Sequence, residues 1–152
     1  MKITDLIQLE SIKADLEVTS KKSLLQELST VAFNNYKIDE STVFDALLER
    51  ERLGATGIGN GVAIPHGKIS GIGKPYGVFA KLKKAVDFDS TDDKPVDLVF
   101  LLLAPETAGA DHLKALACVS KILRNSDAVK KLRSSVSEEE ILRILTEADG
   151  NN

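Results

Sequence analysis

The sequence predicts an α/β domain in which a sheet is covered on both faces by helices. Apolar residues recur at helical spacing near both ends of the chain, whereas the four prolines and most of the ten glycines lie between Gly54 and Gly109. Within that middle, the segment from Val96 to Leu103 is almost continuously apolar and has the length of a strand, as expected at the buried centre of a sheet. Helices on either side of a strand-rich middle are typical of a layered α/β structure.

Two helices are predicted before the glycine-rich middle. The first covers residues 21–34, where the leucines share one face and Ser20 can cap the first turn. The second runs from Asp39 to Leu53, again with apolar residues on one face. Both helices are therefore expected to pack one side against the sheet.

The rest of the chain is predicted to supply the strands and two further helices. A third long helix is predicted from Asp111 to Arg124. Ser137 and Glu140 have the spacing of a capping box, which predicts a last helix from Glu138 to Thr146. The predicted strands are residues 62–64, Val78–Lys83 and Val96–Leu103.

Composition excludes several classes of protein. The 152 residues correspond to one domain, and 43% hydrophobic with 28% charged residues is the balance of a soluble globular chain. A net charge of −3 and the absence of tryptophan argue against nucleic-acid binding. The longest apolar run, Leu98 to Ala104, is far shorter than the roughly 20 residues of a membrane span. The chain is therefore expected not to insert into a membrane. With a single cysteine, Cys118, no internal disulfide is expected, which favours the reducing cytoplasm.

Two polar side chains fall on the apolar faces of their helices. At about 100° per residue, Arg50 lies within the stripe that includes Val43, Leu47 and, at its edge, Leu53. His112 lies on the buried face of the third long helix, in its first turn. Each could simply be a helix-end residue, Arg50 reaching past the end of its helix into water and His112 acting as a cap. The other interpretation is that both line a cleft, because an unpaired buried charge costs several kcal/mol.

The glycine-rich segment from Gly54 to Gly67 leads to the second histidine of the chain, His66. It lacks the Ser or Thr that a P-loop needs after lysine, and no helical pattern follows it as in a dinucleotide-binding fingerprint. Pro65 is predicted to stop the strand 62–64, so that His66 lies just past its end. A neutral imidazole presented in this way is a good nucleophile.

Together, His66, Arg50 and His112 suit phosphoryl transfer without a metal. His66 would be the nucleophile, Arg50 a planar cation for phosphoryl oxygens, and His112 a neutral donor near a helix N-terminus. Backbone N–H groups of the glycine-rich segment are predicted to bind the phosphoryl oxygens as well; these residues are Gly59, Asn60, Gly61 and Gly67. Neighbouring Glu51 either pairs with a base or orients Arg50. Asp97 and Cys118 are interpreted as structural residues.

These residues resemble a known family. Glu51 together with the segment Ile58–Gly67 resembles the active-site signature of phosphotransferase-system IIA domains of the fructose, mannitol and nitrogen class. The longer stretch Arg50–Lys68 is most similar to the nitrogen-regulatory branch, and Pro95–Phe100 and Asp111–Leu113 fit it too. The position of Ala55 is usually serine in the family.

The resemblance implies a single IIA domain spanning residues 1–152, with a mixed sheet between helices, a core at about residues 3–147 and a short polar tail at 148–152. It implies that His66 is phosphorylated, that Arg50 contacts the phosphoryl group, and that His112 is the second active-site histidine. The donor would be a phosphorylated HPr-like carrier protein of the NPr type. The resemblance implies no cofactor. It also implies that this protein acts mainly as a nitrogen-type regulator of other proteins.

Three alternatives stay open at this point. The chain could instead pass phosphate to the IIB domain of a fructose- or mannitol-type sugar transporter. A metal-dependent hydrolase would use His66, His112 and a carboxylate such as Asp111, although no HExxH-like spacing occurs. A binding module that never gains phosphate is the third alternative.

Overall fold

The computed structural model describes residues 1–107 and 109–150, and within them six strands and five α-helices. Two 3₁₀ turns, Ile3–Asp5 and Leu9–Ser11, precede the first strand. The strands are β1 Ile12–Leu16, β2 Gly57–Gly59, β3 Val62–Ala63, β4 His66–Ile69, β5 Tyr76–Val86 and β6 Val96–Pro105. The helices are α1 Lys21–Tyr36, α2 Glu40–Arg52, α3 Gly109–Leu123, α4 Ser126–Ser134 and α5 Glu138–Gly150.

All six strands form one mixed sheet in the order β1-β5-β6-β3-β2, with β4 also paired to β6. Strand β6 is antiparallel to β5 on one side and parallel to β3 and β4 on the other. Strand β1 is parallel to β5, and β2 is antiparallel to β3. The apolar segment that the sequence places at the centre of a sheet is indeed the central strand, so the prediction of a mixed sheet between helices is confirmed.

Alternation along β6 divides the core into two layers. Leu98, Phe100 and Leu102 belong to the cluster that packs against α3, α4 and α5. Val99, Leu101 and Leu103 belong to the cluster that packs against α1 and α2. Because successive strand residues face opposite sides, an uninterrupted apolar run is what a strand covered on both faces requires.

Capping side chains fix where the helices begin. The hydroxyl of Ser20 accepts a hydrogen bond from the Ser23 N–H, and the carboxylate of Asp39 accepts one from the Thr42 N–H. At α5, Ser137 Oγ accepts from the Glu140 N–H at 3.2 Å, but the Glu140 carboxylate accepts from Val136 N–H rather than from Ser137. The Glu140 half of the predicted capping box therefore binds the N–H one residue before Ser137.

The last helix is longer than the sequence predicts. It continues to Gly150 instead of ending at Thr146, because Ala148 is buried against the same core cluster as Ile144 and Leu145. The expected polar tail, 148–152, thus begins inside α5, and its residues 151 and 152 lie outside the described residues. No helix within the described residues combines the length and apolar character needed to cross a membrane.

Candidate active site

His66 is the first residue of β4, which differs from the prediction that Pro65 ends the strand. Pairing resumes with the same offset on the far side of the proline: Val62 lies opposite Leu98, and His66 lies opposite Leu102. Proline lacks an N–H donor, but its carbonyl still accepts a hydrogen bond from Leu102 N at 3.0 Å. The proline therefore interrupts the ladder without ending it, and His66 is held by the sheet.

Both ring nitrogens of His66 are engaged. Nδ1 lies 2.8 Å from the carbonyl oxygen of Ile64, and Arg50 Nε donates to Nε2 at 3.3 Å. A carbonyl oxygen can only accept, so Nδ1 must carry the proton and donate it. In the neutral imidazole, Nε2 then carries the lone pair, which Arg50 Nε–H meets.

Burial keeps this imidazole neutral. Desolvation lowers the pKa of His66 below its ordinary value, and the nearby positive charge of Arg50 lowers it further. The hydrogen bond to Ile64 and the negative charge of Glu51 act in the opposite direction but do not reverse the shift. At neutral pH the residue is therefore an unprotonated base with a defined tautomer.

Arg50 lies in the last turn of α2, where the sequence places it on the inward side of the helix. Its Nε–H reaches His66, and its Nη1 donates to the carbonyl oxygen of Gly54 at 3.0 Å. The side chain thus curls over the end of its own helix toward the glycine-rich segment. This arrangement holds a planar cation directly beside the lone pair of His66.

His112 occupies the first turn of α3 and is 8% exposed. Its ring centroid lies 5.7 Å from that of His66, with the two planes inclined by 48°. Within residues 1–107 and 109–150, its Nδ1 is buried without a hydrogen-bond partner. Burial lowers the pKa of His112, and the charges of His66 and Lys68 lower it further. Two neutral imidazoles thus lie side by side.

A cavity of about 270 Å³ opens beside Arg50 and His66, and His112 is not one of its lining residues. Arg50 and His66 line it together with part of the glycine-rich segment and with Leu116 and Ser120 from the helix that carries His112. The residues of the glycine-rich segment that line it are Ala55, Thr56, Gly57, Ile58 and Ile64. A neutral nucleophile, a guanidinium and an open approach are therefore found in one place.

The glycine-rich residues predicted to bind phosphoryl oxygens are divided by the structure. Gly59, Asn60 and Gly61 form the turn between β2 and β3, and all three have positive φ. Gly59 and Asn60 line a second, larger cavity of about 630 Å³, and Gly61 lines the groove next to it. None of the three lines the cavity beside His66. Asp92 accepts from the Asn60 N–H at 3.0 Å, which occupies one of the predicted donors. Gly67 lies against α2, where an added Cβ would be 3.4 Å from Ala46 Cβ. Phosphoryl binding by these residues stays a prediction.

Three participants have little or no signal in the sequence. The carbonyl of Ile64 is backbone and has no side-chain signature, although it sets the tautomer of His66. Thr56 and Lys21 are ordinary polar residues in sequence, yet both bind Glu51. Of the two interpretations of Glu51, the structure shows pairing with a base, Lys21 at 2.9 Å. Asp97 pairs with Arg133 at 2.9 Å, as a structural role for Asp97 predicts.

The described residues, 1–107 and 109–150, contain no group of three His, Cys, Asp or Glu side chains placed to hold a metal ion. The set expected for a hydrolase, namely His66, His112 and Asp111, is therefore not assembled as such a group. The chemistry that this geometry supports directly is attack by a neutral imidazole on a centre whose charge a guanidinium can stabilise.

Comparison with known proteins identifies relatives along nearly the whole chain. The family described as "Phosphoenolpyruvate-dependent sugar phosphotransferase system, EIIA 2" matches residues 5–148. The nitrogen regulatory protein of Bradyrhizobium diazoefficiens is 53% identical over 145 residues, 95% of each chain. The fructose-specific EIIABC component of Bacillus subtilis is 36% identical over 98% of this chain, which spans only 24% of that protein.

Two solved structures superpose on nearly the whole chain. The nitrogen regulatory protein IIA-Ntr of Neisseria meningitidis superposes with a TM-score of 0.89 at 38% identity, covering 95% of this chain and 99% of the other. IIA mannitol of Escherichia coli superposes with a TM-score of 0.76 at 21% identity, covering 91% and 98%, and shows the same fold.

Proposed function

Because the chain belongs to the EIIA 2 family of the phosphoenolpyruvate-dependent sugar phosphotransferase system, we propose that it accepts a phosphoryl group on Nε2 of His66. IIA domains of this system transfer phosphoryl groups through a phosphohistidine. The observation that carries the assignment is the pair of hydrogen bonds on the His66 ring, which place the proton on Nδ1 and the lone pair on Nε2.

The transfer step requires no proton movement at the nucleophile. The Nε2 lone pair attacks phosphorus in the phosphohistidine of the carrier, and the N–P bond of the carrier breaks with its electron pair returning to the carrier's imidazole. The proton stays on Nδ1 and remains hydrogen-bonded to the Ile64 carbonyl throughout. Arg50 must leave Nε2 as the phosphoryl group arrives, and its guanidinium then donates to the phosphoryl oxygens beside it.

His112 serves as a second donor in this proposal. Its buried Nδ1 has no partner among the described residues. Burying an unpaired acceptor costs less than burying an unpaired N–H, so the proton is assigned to Nε2. With burial keeping the pKa of His112 low, the ring is neutral and can donate this one hydrogen bond to the phosphoryl group.

The output proposed for the phosphorylated protein is regulation. Relatives over nearly the full chain are nitrogen regulatory proteins, and the NPr-type HPr-like carrier is the proposed donor. Phosphorylation adds about −1.5 to −2 charges at the surface next to the cavity, enough to alter binding of regulated proteins. The second candidate, transfer to a fructose-type IIB domain, is favoured by the similarity to the Bacillus subtilis fructose component.

Intact-mass measurement tests the proposal. The full chain is incubated with phosphoenolpyruvate and the two general carrier proteins, one of them HPr-like. The wild type should gain the mass of one phosphoryl group, and His66→Ala should gain none. His112→Ala, which keeps the nucleophile, is the matched control and should still be modified.

Three results would contradict the proposal or redirect it. A wild-type chain that gains no mass while the carriers are phosphorylated is a binding module. Label that remains on His66→Ala places the phosphoryl group elsewhere. Rapid loss of label to an added fructose-type IIB domain would favour sugar transport over regulation.

A further inference from the structure

Glu51 carries a buried carboxylate one residue after Arg50. Its side chain is 6% exposed, and Oε1 accepts from Lys21 Nζ at 2.9 Å. The same oxygen accepts from the Thr56 N–H at 3.1 Å, and Oε2 accepts from the Thr56 hydroxyl. A buried carboxylate is stable only when paired and hydrogen-bonded, so these contacts account for its charge.

Thr56 connects this carboxylate to the nucleophile. The carbonyl of Thr56 accepts from the Ile64 N–H at 3.0 Å. The carbonyl of Ile64, in turn, accepts from Nδ1–H of His66 at 2.8 Å. Residues 56 and 64 are therefore the only two residues between the Glu51 carboxylate and the imidazole along this path.

Two residues in the last turn of α2 bind the two ends of the short segment 54–56. Arg50 Nη1 donates to the Gly54 carbonyl at 3.0 Å, while Glu51 binds the backbone and side chain of Thr56. Lys21, at the start of α1, also lies 3.6 Å from Asp89 and places its ammonium 4.5 Å from the centre of the Phe88 ring. Lys21 thereby connects the carboxylate to the start of α1 and to the loop after β5.

We propose that Glu51 is a positioning residue for the reaction: through Thr56 it fixes the Ile64 carbonyl, and that carbonyl holds His66 with its proton on Nδ1 and its lone pair on Nε2. The proposal rests on phosphorylation at His66. A loosened Ile64 carbonyl allows the ring to turn or to carry its proton on Nε2, and either change removes the attacking lone pair. Glu51 touches no reacting atom, so its loss acts on the rate of transfer and not on docking of the carrier.

The test compares shape-conserving variants. Glu51→Met removes both acceptor oxygens, and Thr56→Val removes only the hydroxyl that Glu51 binds. Glu49→Met is the matched control, since Glu49 lies on the same helix, is 68% exposed and pairs only with Arg52 among the described residues. Thr56→Ser restores the hydroxyl and should recover most of the rate lost in Thr56→Val.

Steady-state transfer from the phosphorylated carrier is expected to show a drop of about tenfold in kcat for Glu51→Met and about threefold for Thr56→Val. KM for the carrier should stay within about a factor of two in both. The ¹⁵N shifts of the His66 ring, measured on unphosphorylated protein, should show one tautomer in the wild type and a mixture in Glu51→Met.

Wild-type kcat and an unchanged single tautomer in both variants would overturn the proposal. So would a loss that appears only in KM. If Glu51→Met does not fold, the Thr56→Val and Thr56→Ser pair decides. The tautomer is read without phosphate, so a wild type that is never phosphorylated defeats the proposed function and leaves the positioning measurement intact.

Discussion

The surroundings of the two histidines differ more than their positions suggest. Each stands at the start of an element, His66 at β4 and His112 at α3, and their rings lie 5.7 Å apart. His66 has a partner on both nitrogens, whereas Nδ1 of His112 is buried with none among the described residues. The ring proposed to attack is oriented by two hydrogen bonds, whereas the ring proposed to assist has no partner on Nδ1 within the part of the chain that the structure describes. His66 therefore has the more tightly defined geometry.

Removing the partner of the His66 lone pair should have the largest effect. Arg50→Ala takes away the guanidinium beside Nε2 and should slow phosphoryl transfer about 100-fold, the usual cost of losing one preorganised donor to developing charge. Arg50→Lys should recover only part of the rate, because an ammonium lacks the planar fork. Stopped-flow transfer from the labelled carrier measures both. Full activity in Arg50→Ala would remove Arg50 from the mechanism.

Replacing the less constrained ring should separate activity from stability. His112→Phe keeps a ring of similar size but removes one donor, so transfer should slow about tenfold. The free energy of unfolding should stay level or rise, because a buried unpaired nitrogen disappears. His66→Phe, which loses two hydrogen bonds, should instead be less stable by about 1 kcal/mol. Denaturant titrations compare them, and equal losses would contradict the difference between the two sites.

The smallest effect expected is on the pH dependence of stability. Burial lowers the pKa of both His66 and His112 in the folded protein. The unfolded chain therefore binds protons first, so their contribution is complete above about pH 6.5 and is lost as the pH falls through the lower folded-state values. The free energy of unfolding should therefore decline as the pH falls from about 6.5 to about 5.5. His112→Phe should flatten this decline, and an unchanged slope would argue against its share.

Much of the fold could be predicted from the sequence because burial is periodic. The helix predicted at 21–34 is Lys21–Tyr36, and the apolar run at 96–103 is the central strand. Strands β1, β2 and β4 and helix α4 were not predicted; they have five, three, four and nine residues. Elements this short carry too few periodic positions to stand out, and they form because the core receives their apolar side chains.

The sequence predicted the side chains of the candidate site better than its backbone groups. Helical phase placed Arg50 and His112 on inward faces, and the structure brings both to His66. The same phase placed Leu53 at the edge of the apolar stripe, yet it is 81% exposed, because α2 ends at Arg52 and the periodicity ends with it. Backbone acceptors such as the Ile64 carbonyl have no residue type, so only coordinates reveal them.

The hydrogen bond from His66 to Ile64 has a consequence for the reverse of the proposed reaction. Nδ1–H donates to the Ile64 carbonyl, and the N–H of Ile64 donates to the Thr56 carbonyl, so the backbone holds the acceptor in place. The proposed modification at Nε2 uses neither of these groups, and the ring keeps one orientation before and after it. A phosphoryl group held there would leave along the path by which it arrives, so acceptance and donation would share one geometry.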